Sequence, residues 1–251
     1  MNVGLFVPCF IEQYYPEVAI ATLDLLEKHG CKVTIPDGQT CCGQPLANAG
    51  FESSTVDVAG RFADLFETFE YVVAPSASCA LHVRDHYRHF SDISNSLEKK
   101  LRTVGSKTYE VCEFLYNVVG VRSIDVTLQR RIGIHPGCHG LRGMRLGVSS
   151  ELMQDGTDIV RSLLETVHGI DLVELARADE CCGFGGTFSI SEEAVSVRMG
   201  RDRLADHVSA GAEIITSTDM SCLMHMQGLA RRSGSTVRFC HVTQILSGAV
   251  T

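Results

Sequence analysis

The sequence has no long apolar run and no cluster of basic residues. No segment approaches the roughly 18 apolar residues that a membrane-spanning helix needs, so we expect no membrane span. The 251 residues carry a formal net charge of −8, which disfavours nucleic acid or an anionic membrane surface as a partner. The first residues lack the basic segment and the small-residue cleavage site of a signal peptide, and we expect a cytoplasmic protein.

Two motifs that are typical of redox proteins are also absent. The chain has no Gly-x-Gly-x-x-Gly fingerprint for a flavin or nicotinamide dinucleotide. It has no run of closely spaced cysteines of the ferredoxin type either. A protein of this kind that transferred electrons would therefore need a partner, such as a ferredoxin-like iron–sulfur subunit, to carry them onward.

Cysteine, in contrast, is abundant, with eleven residues in the chain. The odd number and the expected reducing compartment argue against a framework of disulfides. Many thiols in such a compartment more often indicate metal binding or redox chemistry. Hydrophobic residues make up 45% of the chain and charged residues 21%, which predicts a folded protein with a sizeable core.

The cysteines lie in a pattern that occurs twice. Each copy has a single cysteine after an apolar run, then a distant Cys-Cys-Gly, then a Ser-Cys pair with a histidine three residues after the cysteine. The landmarks are Cys9, Cys41–Gly43, Cys79 and His82 in the first copy, and Cys138, Cys181–Gly183, Cys222 and His225 in the second. Thr108–Cys112 also resembles Thr236–Cys240, which predicts equivalent packing positions for Cys112 and Cys240. We therefore predict two half-domains, residues 1–125 and 126–251.

Each copy alternates short apolar segments with segments of helical periodicity. The predicted strands are residues 3–7, 32–35, 71–74, 132–134, 171–175 and 213–216, and the predicted helices are residues 16–29, 53–70, 157–168 and 192–210. Strand–helix alternation is typical of parallel sheets covered by helices. We predict an α/β fold with two tandem, pseudo-symmetric half-domains, each a mainly parallel sheet flanked by helices.

This topology brings the scattered cysteines together, because each follows a predicted strand and parallel strands share one carboxyl edge. We predict one four-thiol metal site in each half. The predicted ligands are Cys9, Cys41, Cys42 and Cys79 in the first half, and Cys138, Cys181, Cys182 and Cys222 in the second. Such sets suit an iron–sulfur cluster or Zn²⁺. Adjacent cysteines reach different irons of one cluster more easily than a single Zn²⁺, and the alternative for all eight is a buried structural thiol.

Other residues near the motifs are candidates for supporting roles. Exposed backbone N–H groups beside a thiolate-rich site are predicted at Gly43, Gly183, Gly185 and Gly186, which makes these glycines candidates for cofactor binding. His139 and His225 are the candidate catalytic residues, and His82 and His225 are candidate ligands or proton relays with helix-cap or surface histidines as the alternative. Arg142 and Arg145 either receive a carboxylate or are surface charges, and Cys31 is expected in the core.

The doubled motif resembles the CCG (cysteine-rich) domain family, which includes the cysteine-rich subunit of heterodisulfide reductase, the iron–sulfur subunit of glycolate oxidase and proteins of lactate utilization. The resemblance covers essentially the whole chain and is carried by Cys41–Pro45, Pro75–Cys79, Lys107–Glu110, Cys181–Ser189 and His241. It implies one or two [4Fe–4S] clusters and an oxidoreductase subunit that oxidises L-lactate to pyruvate. It also implies partner subunits, one of them ferredoxin-like.

The chain departs from one member of this family at a single motif position. In the cysteine-rich subunit of heterodisulfide reductase the last cysteine begins a Cys-x-x-Cys pair, whereas His82 and His225 stand at that position here. This difference favours a four-thiol site of the ordinary type. Two other functions stay open: a thiol–disulfide redox protein similar to heterodisulfide reductase, and a non-catalytic assembly module with zinc in one or both sites.

Overall fold

Eight strands form two parallel sheets of four strands each in the computed structural model, which describes residues 1–250. The strands are β1 Asn2–Leu5, β2 Lys32–Thr34, β3 Tyr71–Ala74, β4 Thr108–Glu110, β5 Thr127–Ile134, β6 His168–Leu172, β7 Ile214–Ser217 and β8 Arg238–His241. The strand orders are β2-β1-β3-β4 and β6-β5-β7-β8, so the second sheet repeats the topology of the first. The predicted α/β class is confirmed, and the division at residue 125 stays a prediction.

Helices connect the strands and cover the sheets. They are α1 Cys9–Tyr14, α2 Pro16–Lys28, α3 Gln44–Asn48, α4 Val56–Phe66, α5 Ala77–Leu81, α6 Asn95–Ser106, α7 Val111–Glu113, α8 Ile159–Leu164, α9 Phe188–Ser191, α10 Glu193–Ser209, α11 Met220–Ser233 and α12 Val242–Ser247. Short 3₁₀ or π turns occupy Glu52–Thr55, His82–His86, Tyr87–His89, Phe114–Val119, His139–Gly143 and Ser150–Leu152. Within residues 1–250, no helix has both the length and the apolar character that crossing a bilayer requires.

Packing of α2 against α12 joins the two halves. Pro16 starts α2 at a position where its missing N–H costs nothing, and Gly30 follows the helix with a φ of +80°. The buried face of α2 includes Leu25 and Leu26, which belong to the same hydrophobic core as Ile245 of α12. The two sheets therefore share a continuous apolar core.

The structure corrects several predicted elements. Each sheet has a fourth strand, β4 and β8, that the sequence pattern did not indicate because polar or charged residues interrupt both segments, TYE and RFCH. Strand β6 begins at His168, which was predicted to end a helix, since α8 already stops at Leu164. Cys79 and Cys222 lie inside the first turns of α5 and α11, and Cys9 starts a helix that was not predicted.

Strand register overturns the predicted equivalence of Cys112 and Cys240. Pairing through β3 and β7 makes Thr108 equivalent to Phe239, whereas the letter match had aligned Thr108 with Thr236. Cys112 therefore lies in α7, after the strand, and Cys240 lies within β8. The prediction is wrong because a similar string of residues does not fix the register of a strand, which is set by its hydrogen-bonded neighbour.

The same register makes Glu110 equivalent to His241, and both cap the helix that follows. Glu110 Oε2 accepts hydrogen bonds from the backbone N–H of Cys112 at 2.7 Å and of Glu113 at 3.1 Å. His241 Nδ1 accepts from the N–H of Thr243 at 3.3 Å. Both side chains are fully buried, so burial raises the pKa of Glu110 to about 8 and lowers the pKa of His241 to about 4.

Glu110→Gln should make the stability of the protein less dependent on pH. The folded pKa of Glu110 is about 8 against an ordinary value of 4.5, so its favourable contribution is complete below pH 4.5 and is lost as pH rises through 8. At about 1.4 kcal/mol per pKa unit, the upper limit of that loss is on the order of 5 kcal/mol. Urea unfolding of metal-free wild type and variant from pH 5 to 9 measures it.

The informative quantity in this comparison is the slope of the unfolding free energy against pH. Glu110 Oε1 has no partner, so a glutamine at this position carries a constant cost for its unpaired amide nitrogen. The exposed Glu12 of α1 provides a matched substitution, and Glu12→Gln should run parallel to wild type. If the Glu110→Gln profile also ran parallel to wild type, ionisation of this buried cap would not limit stability at high pH.

Candidate metal centres

The motif cysteines lie beyond the carboxyl ends of the two central strands in each sheet. Cys9 follows β1 and Cys79 follows β3, and in the second half Cys138 follows β5 and Cys222 follows β7. The chain leaves β1 toward one edge of the sheet, where β2 lies, and leaves β3 toward the opposite edge, where β4 lies. Such a switch in direction opens a crevice at the strand ends, where ligands commonly bind in α/β folds.

The four predicted thiols of the first half form a row of contacts. Cys9 Sγ lies 3.7 Å from Cys41 Sγ, and the Cys42 thiol forms hydrogen bonds with Cys41 on one side and Cys79 on the other. The backbone N–H of Gly43 donates to Cys41 Sγ at 3.4 Å. Cys42 is buried and the other three cysteines are half-buried.

The second half repeats this row. Cys181 forms thiol hydrogen bonds with Cys138 and with Cys182, and Cys182 in turn with Cys222. The N–H of Gly183 donates to Cys181 Sγ at 3.3 Å, and the N–H of Phe184 lies 3.5 Å from Cys182 Sγ. The structure therefore brings together both sets of cysteines that the sequence pattern grouped, in the same order of contacts.

Two of the predicted glycines direct a backbone N–H toward a sulfur. Gly43 and Gly183 have φ values of +87° and +84°, a conformation that turns the N–H back toward the cysteine two residues earlier. A Cβ on Gly183 would also lie 2.6 Å from the carbonyl oxygen of Ser196. Gly185 and Gly186 line the cavity beside the cysteines but do not hydrogen-bond to a cysteine sulfur within residues 1–250.

Thiol–thiol hydrogen bonds set the protonation of each row. Donation from Cys42 and Cys9 lowers the pKa of the Cys41 thiol, and donation from Cys138 and Cys182 lowers that of Cys181. These donors keep their protons, because hydrogen bonding to the neighbouring thiolate and burial raise their pKa values. The lowered pKa favours the thiolate at Cys41 and at Cys181, and a bound metal would displace the remaining thiol protons.

All eight cysteines line a single cavity of about 520 Å³ between the two sheets. The two rows contribute to the same cavity wall together with His139 and with apolar side chains such as Phe10 and Phe184. The ring nitrogen His139 Nε2 lies 3.5 Å from Gln44 Nε2 of the other half. The volume is in the range of small-molecule sites, so the cavity combines two thiol rows with space for a small ligand.

A buried carboxyl group connects the halves beside this cavity. Asp219 Oδ1 accepts from Ser76 Oγ at 2.8 Å, from Ser78 Oγ at 2.7 Å and from the N–H of Ser78 at 3.1 Å. Asp219 and Ser76 occupy equivalent positions, each three residues before a site cysteine. Ser76 also caps its own helix by accepting from the N–H of Cys79, whereas Asp219 caps none and crosses to the other half.

The predicted histidines occupy three different environments. His139 lines the cavity. His225 lies outside it, with Nε2 facing α10 at 3.3 Å from the carbonyl oxygen of Ser196. His82 is buried next to the first row with neither ring nitrogen paired, and burial lowers its pKa to about 4.

Sequence reasoning missed a fourth histidine that faces the second row. A ring nitrogen of His135 lies within 4.8 Å of both Cys182 Sγ and Cys222 Sγ. Its Nδ1 accepts from Arg203 Nε at 3.1 Å, which leaves Nε2 as the nitrogen available to the sulfurs. Burial, with the adjacent guanidinium, holds the pKa of His135 well below its usual range. The repeat could have identified this histidine, because His135 stands at the position that the core aromatic residue Phe6 has in the first half.

The remaining candidates lie away from the cavity. Arg142 forms an ion pair with Glu151 at 2.5 Å, and both Arg142 and Arg145 are exposed, as expected for surface charges. The three cysteines outside the motifs, Cys31, Cys112 and Cys240, are buried in the hydrophobic core.

Comparison with known families and proteins gives full-length similarity. The model of the cysteine-rich (CCG) domain family matches residues 3–84 and 132–227. Lactate utilization protein A of Shouchella clausii is 37% identical over 247 residues, which cover 98% of this chain and 99% of that protein. The same protein of Bacillus subtilis is 36% identical with the same coverage, and that of Oceanobacillus iheyensis is 38% identical over 98% of this chain and 97% of its own.

One solved structure shares the fold. A crystal structure of a hypothetical protein from Helicobacter pylori superimposes with a TM-score of 0.62 at 10% sequence identity. The match covers 100% of this chain and 49% of that one, so this chain spans about half the length of the solved protein. At this identity the likeness concerns the arrangement of helices and strands alone.

Proposed function

This chain belongs to the cysteine-rich (CCG) domain family, and from that premise we propose that it is the iron–sulfur subunit of a complex that oxidises L-lactate to pyruvate. The relatives named lactate utilization protein A, which match over nearly the full length, support lactate as the substrate. The observation that carries the proposal is the convergence of two four-thiol rows on one cavity that has room for a small carboxylate.

The donor set fits a thiolate-bound cluster better than a single zinc ion. Four sulfurs around one tetrahedral Zn²⁺, with bonds of about 2.3 Å, would lie about 3.8 Å from one another. The adjacent pair Cys9 and Cys41 has this spacing, at 3.7 Å. Four sulfurs do not surround one point, however, because within residues 1–250 the group of three donors within 4.8 Å includes only two sulfurs, those of Cys182 and Cys222. Backbone N–H groups aimed at Cys41, Cys181 and Cys182 are further donors that suit an anionic cluster.

In this proposal each row of four cysteines holds one [4Fe–4S] cluster, which when bound would supply one-electron transfer. The residues of the chain would orient the substrate and exclude water, since apolar side chains such as Phe10 and Phe184 line the cavity around the rows. Oxidation of lactate to pyruvate releases two electrons and two protons, one from the hydroxyl and one from the Cα–H group. His139 is the side chain we propose for taking up the hydroxyl proton, because it lies in the cavity wall, and the second proton would pass to solvent at the cavity mouth. A direct role of His225 stays a prediction, since its ring faces Ser196.

We propose partner subunits because two electrons must leave the substrate and the chain has no cysteine motif of the ferredoxin type to carry them away. A ferredoxin-like iron–sulfur subunit would accept them, together with other subunits of the lactate utilization complex. We place the complex in the cytoplasm.

Anaerobic co-purification with the partner subunits tests this function. We expect about eight iron and eight sulfide per chain for two [4Fe–4S] clusters, and partial bleaching of the visible absorbance when L-lactate is added. D-lactate is the matched control for the substrate. About one zinc per half without iron would favour the assembly module, and reduction of disulfides without any dependence on lactate would favour chemistry similar to heterodisulfide reductase.

A further inference from the structure

We propose that His135 donates an Nε2–H hydrogen bond to the sulfurs of the second cysteine row, and that buried Arg203 fixes the ring in the form that does so. This role makes the second centre electronically different from the first. The inference rests on the proposed function, because it concerns a cluster held by these cysteines. His135 acts here through the cysteines and is a positioning and tuning residue.

His135 is a buried polar side chain with one nitrogen aimed at the site. The residue is 1% exposed, and Nε2 has no hydrogen-bond partner. A ring nitrogen of His135 lies within 4.8 Å of both Cys182 Sγ and Cys222 Sγ. Because Arg203 occupies Nδ1, Nε2 is the nitrogen free to meet them. Since buried polar atoms are nearly always paired, an unpaired nitrogen at this place indicates a partner at the cysteine row.

Arg203 determines which nitrogen of the ring carries the proton. A guanidinium has donors and no acceptor, so His135 Nδ1 must accept the hydrogen bond from Arg203 Nε at 3.1 Å. The neutral ring therefore carries its proton on Nε2. Arg203 itself is fully buried and held by the carbonyl oxygens of Arg177 and Ala178 and by Asp206, which prevents it from turning away.

The direction of the hydrogen bond between Arg203 and His135 argues against His135 as a metal ligand. A ligating histidine usually donates its second ring N–H to a carboxylate, a carbonyl or water, and that donation makes it a better ligand. His135 does the reverse, because its second nitrogen accepts from a cation. Coordination through Nε2 would require a ring that had lost both protons, and a buried arginine beside Nδ1 does not supply a base for that.

The first half has no histidine at the equivalent position, and His82, which is buried beside the first row, does not form a group with two of its sulfurs within 4.8 Å in residues 1–250. Phe6 stands at the equivalent position and packs edge-on against Phe62 at 4.9 Å. A phenyl ring cannot donate to sulfur, so the two rows differ in the number of donors aimed at them. Hydrogen bonds to cluster sulfurs stabilise the more negative, reduced form and raise the reduction potential. We expect the second centre to be the one reduced first.

His135→Phe, which copies the residue of the first half, tests this inference in the anaerobic holoprotein by redox titration followed by electron paramagnetic resonance. Iron and sulfide content should stay at the wild-type level. One of the two potentials should become more negative, with about a tenfold change in the equilibrium constant of reduction, or about 59 mV for one electron. The other potential should not move.

Two further measurements separate a hydrogen bond from coordination and from a purely structural effect. In protein labelled with ¹⁵N-histidine, the reduced second centre should show a weak nitrogen hyperfine coupling that disappears in His135→Phe. His135→Gln, which keeps an N–H donor, should restore most of the potential. His168→Phe is the matched control, because His168 is exposed at the amino end of β6 and does not line the cavity, so both potentials should stay unchanged.

The possible results distinguish this inference from the proposed function. A wild-type holoprotein without iron and sulfide would overturn both. A strong nitrogen coupling, with loss of about half of the iron in His135→Phe, would identify His135 as a ligand and overturn the inference alone. Two unchanged potentials in His135→Phe with full iron content would also overturn the inference and leave the proposed function standing.

Discussion

Cys41→Ala should remove about half of the iron and sulfide that the holoprotein binds, and Cys181→Ala should remove the other half. Each of these residues has the central place in its row, since Cys41 contacts Cys9 and Cys42, and Cys181 contacts Cys138 and Cys182. Loss of this sulfur leaves three thiols for a cluster that takes four thiolate ligands. Alanine is preferred to serine because a serine oxygen can itself bind iron.

The double variant should bind almost no iron, and the single variants show whether the two rows load independently. Iron and sulfide assays on anaerobically reconstituted protein, with circular dichroism to verify folding, provide the measurement. Cys31→Ala is the control for loss of a thiol, because Cys31 is buried in the core outside the cavity. Wild-type iron content in both single variants would show that these rows are not the ligand sets.

The repeat allowed most of the site to be predicted from the sequence. Once Val3–Val7 and Tyr71–Ala74 are recognised as strands of one parallel sheet, the cysteines that follow them must lie at the same edge. The structure has β1 and β3 as neighbours in the first sheet and β5 and β7 in the second. The positions of the cysteine rows follow from the ends of these strands, and the hydrophobic pattern of the sequence predicts where the strands end.

Contacts between the halves were not predictable in this way. Neither the hydrogen bonds from Ser76 and Ser78 to Asp219 nor the contact between Gln44 and His139 has any periodic signal, because each joins residues that are distant in sequence. The arrangement of His135 and Arg203 is hidden for the same reason, since they lie just after β5 and on α10. The repeat in the sequence therefore predicts the features that the two halves share, and it does not predict the contacts in which they differ.

The differences between the halves have a common physical consequence. His135 replaces Phe6 beside the second row, and Asp219 replaces Ser76 at the helix that carries the last cysteine. Both substitutions make a buried position of the second half more polar than its counterpart in the first half. The N–H donor of His135 favours a higher potential for the second row, whereas the negative charge of Asp219 acts in the opposite direction and is directed at Ser76 and Ser78 of the first half.

Asp219→Ala should lower the free energy of unfolding at neutral pH by about 3 kcal/mol, which is the largest loss of stability that we expect there from a single substitution. Hydrogen bonds to a charged group contribute about 1.5–3 kcal/mol each and are not additive. Asp219 accepts three. After the change, Ser76 Oγ and Ser78 Oγ, 3.2 Å apart, still pair with each other, and the N–H of Ser78 is left without a partner.

Urea unfolding of the metal-free protein measures this loss, and a double-mutant cycle with Ser78→Ala assigns it to the contact between the halves. Asp219→Asn keeps an acceptor oxygen without the charge and should cost less than half as much as Asp219→Ala. Ser233→Ala, at the far end of α11, should change stability by no more than about 0.5 kcal/mol. Because Asp219 directly precedes the helix that carries Cys222, its loss should also speed the release of iron from the second row. An Asp219→Ala protein as stable as wild type, with no coupling to Ser78, would mean that the shared apolar core alone holds the two sheets together.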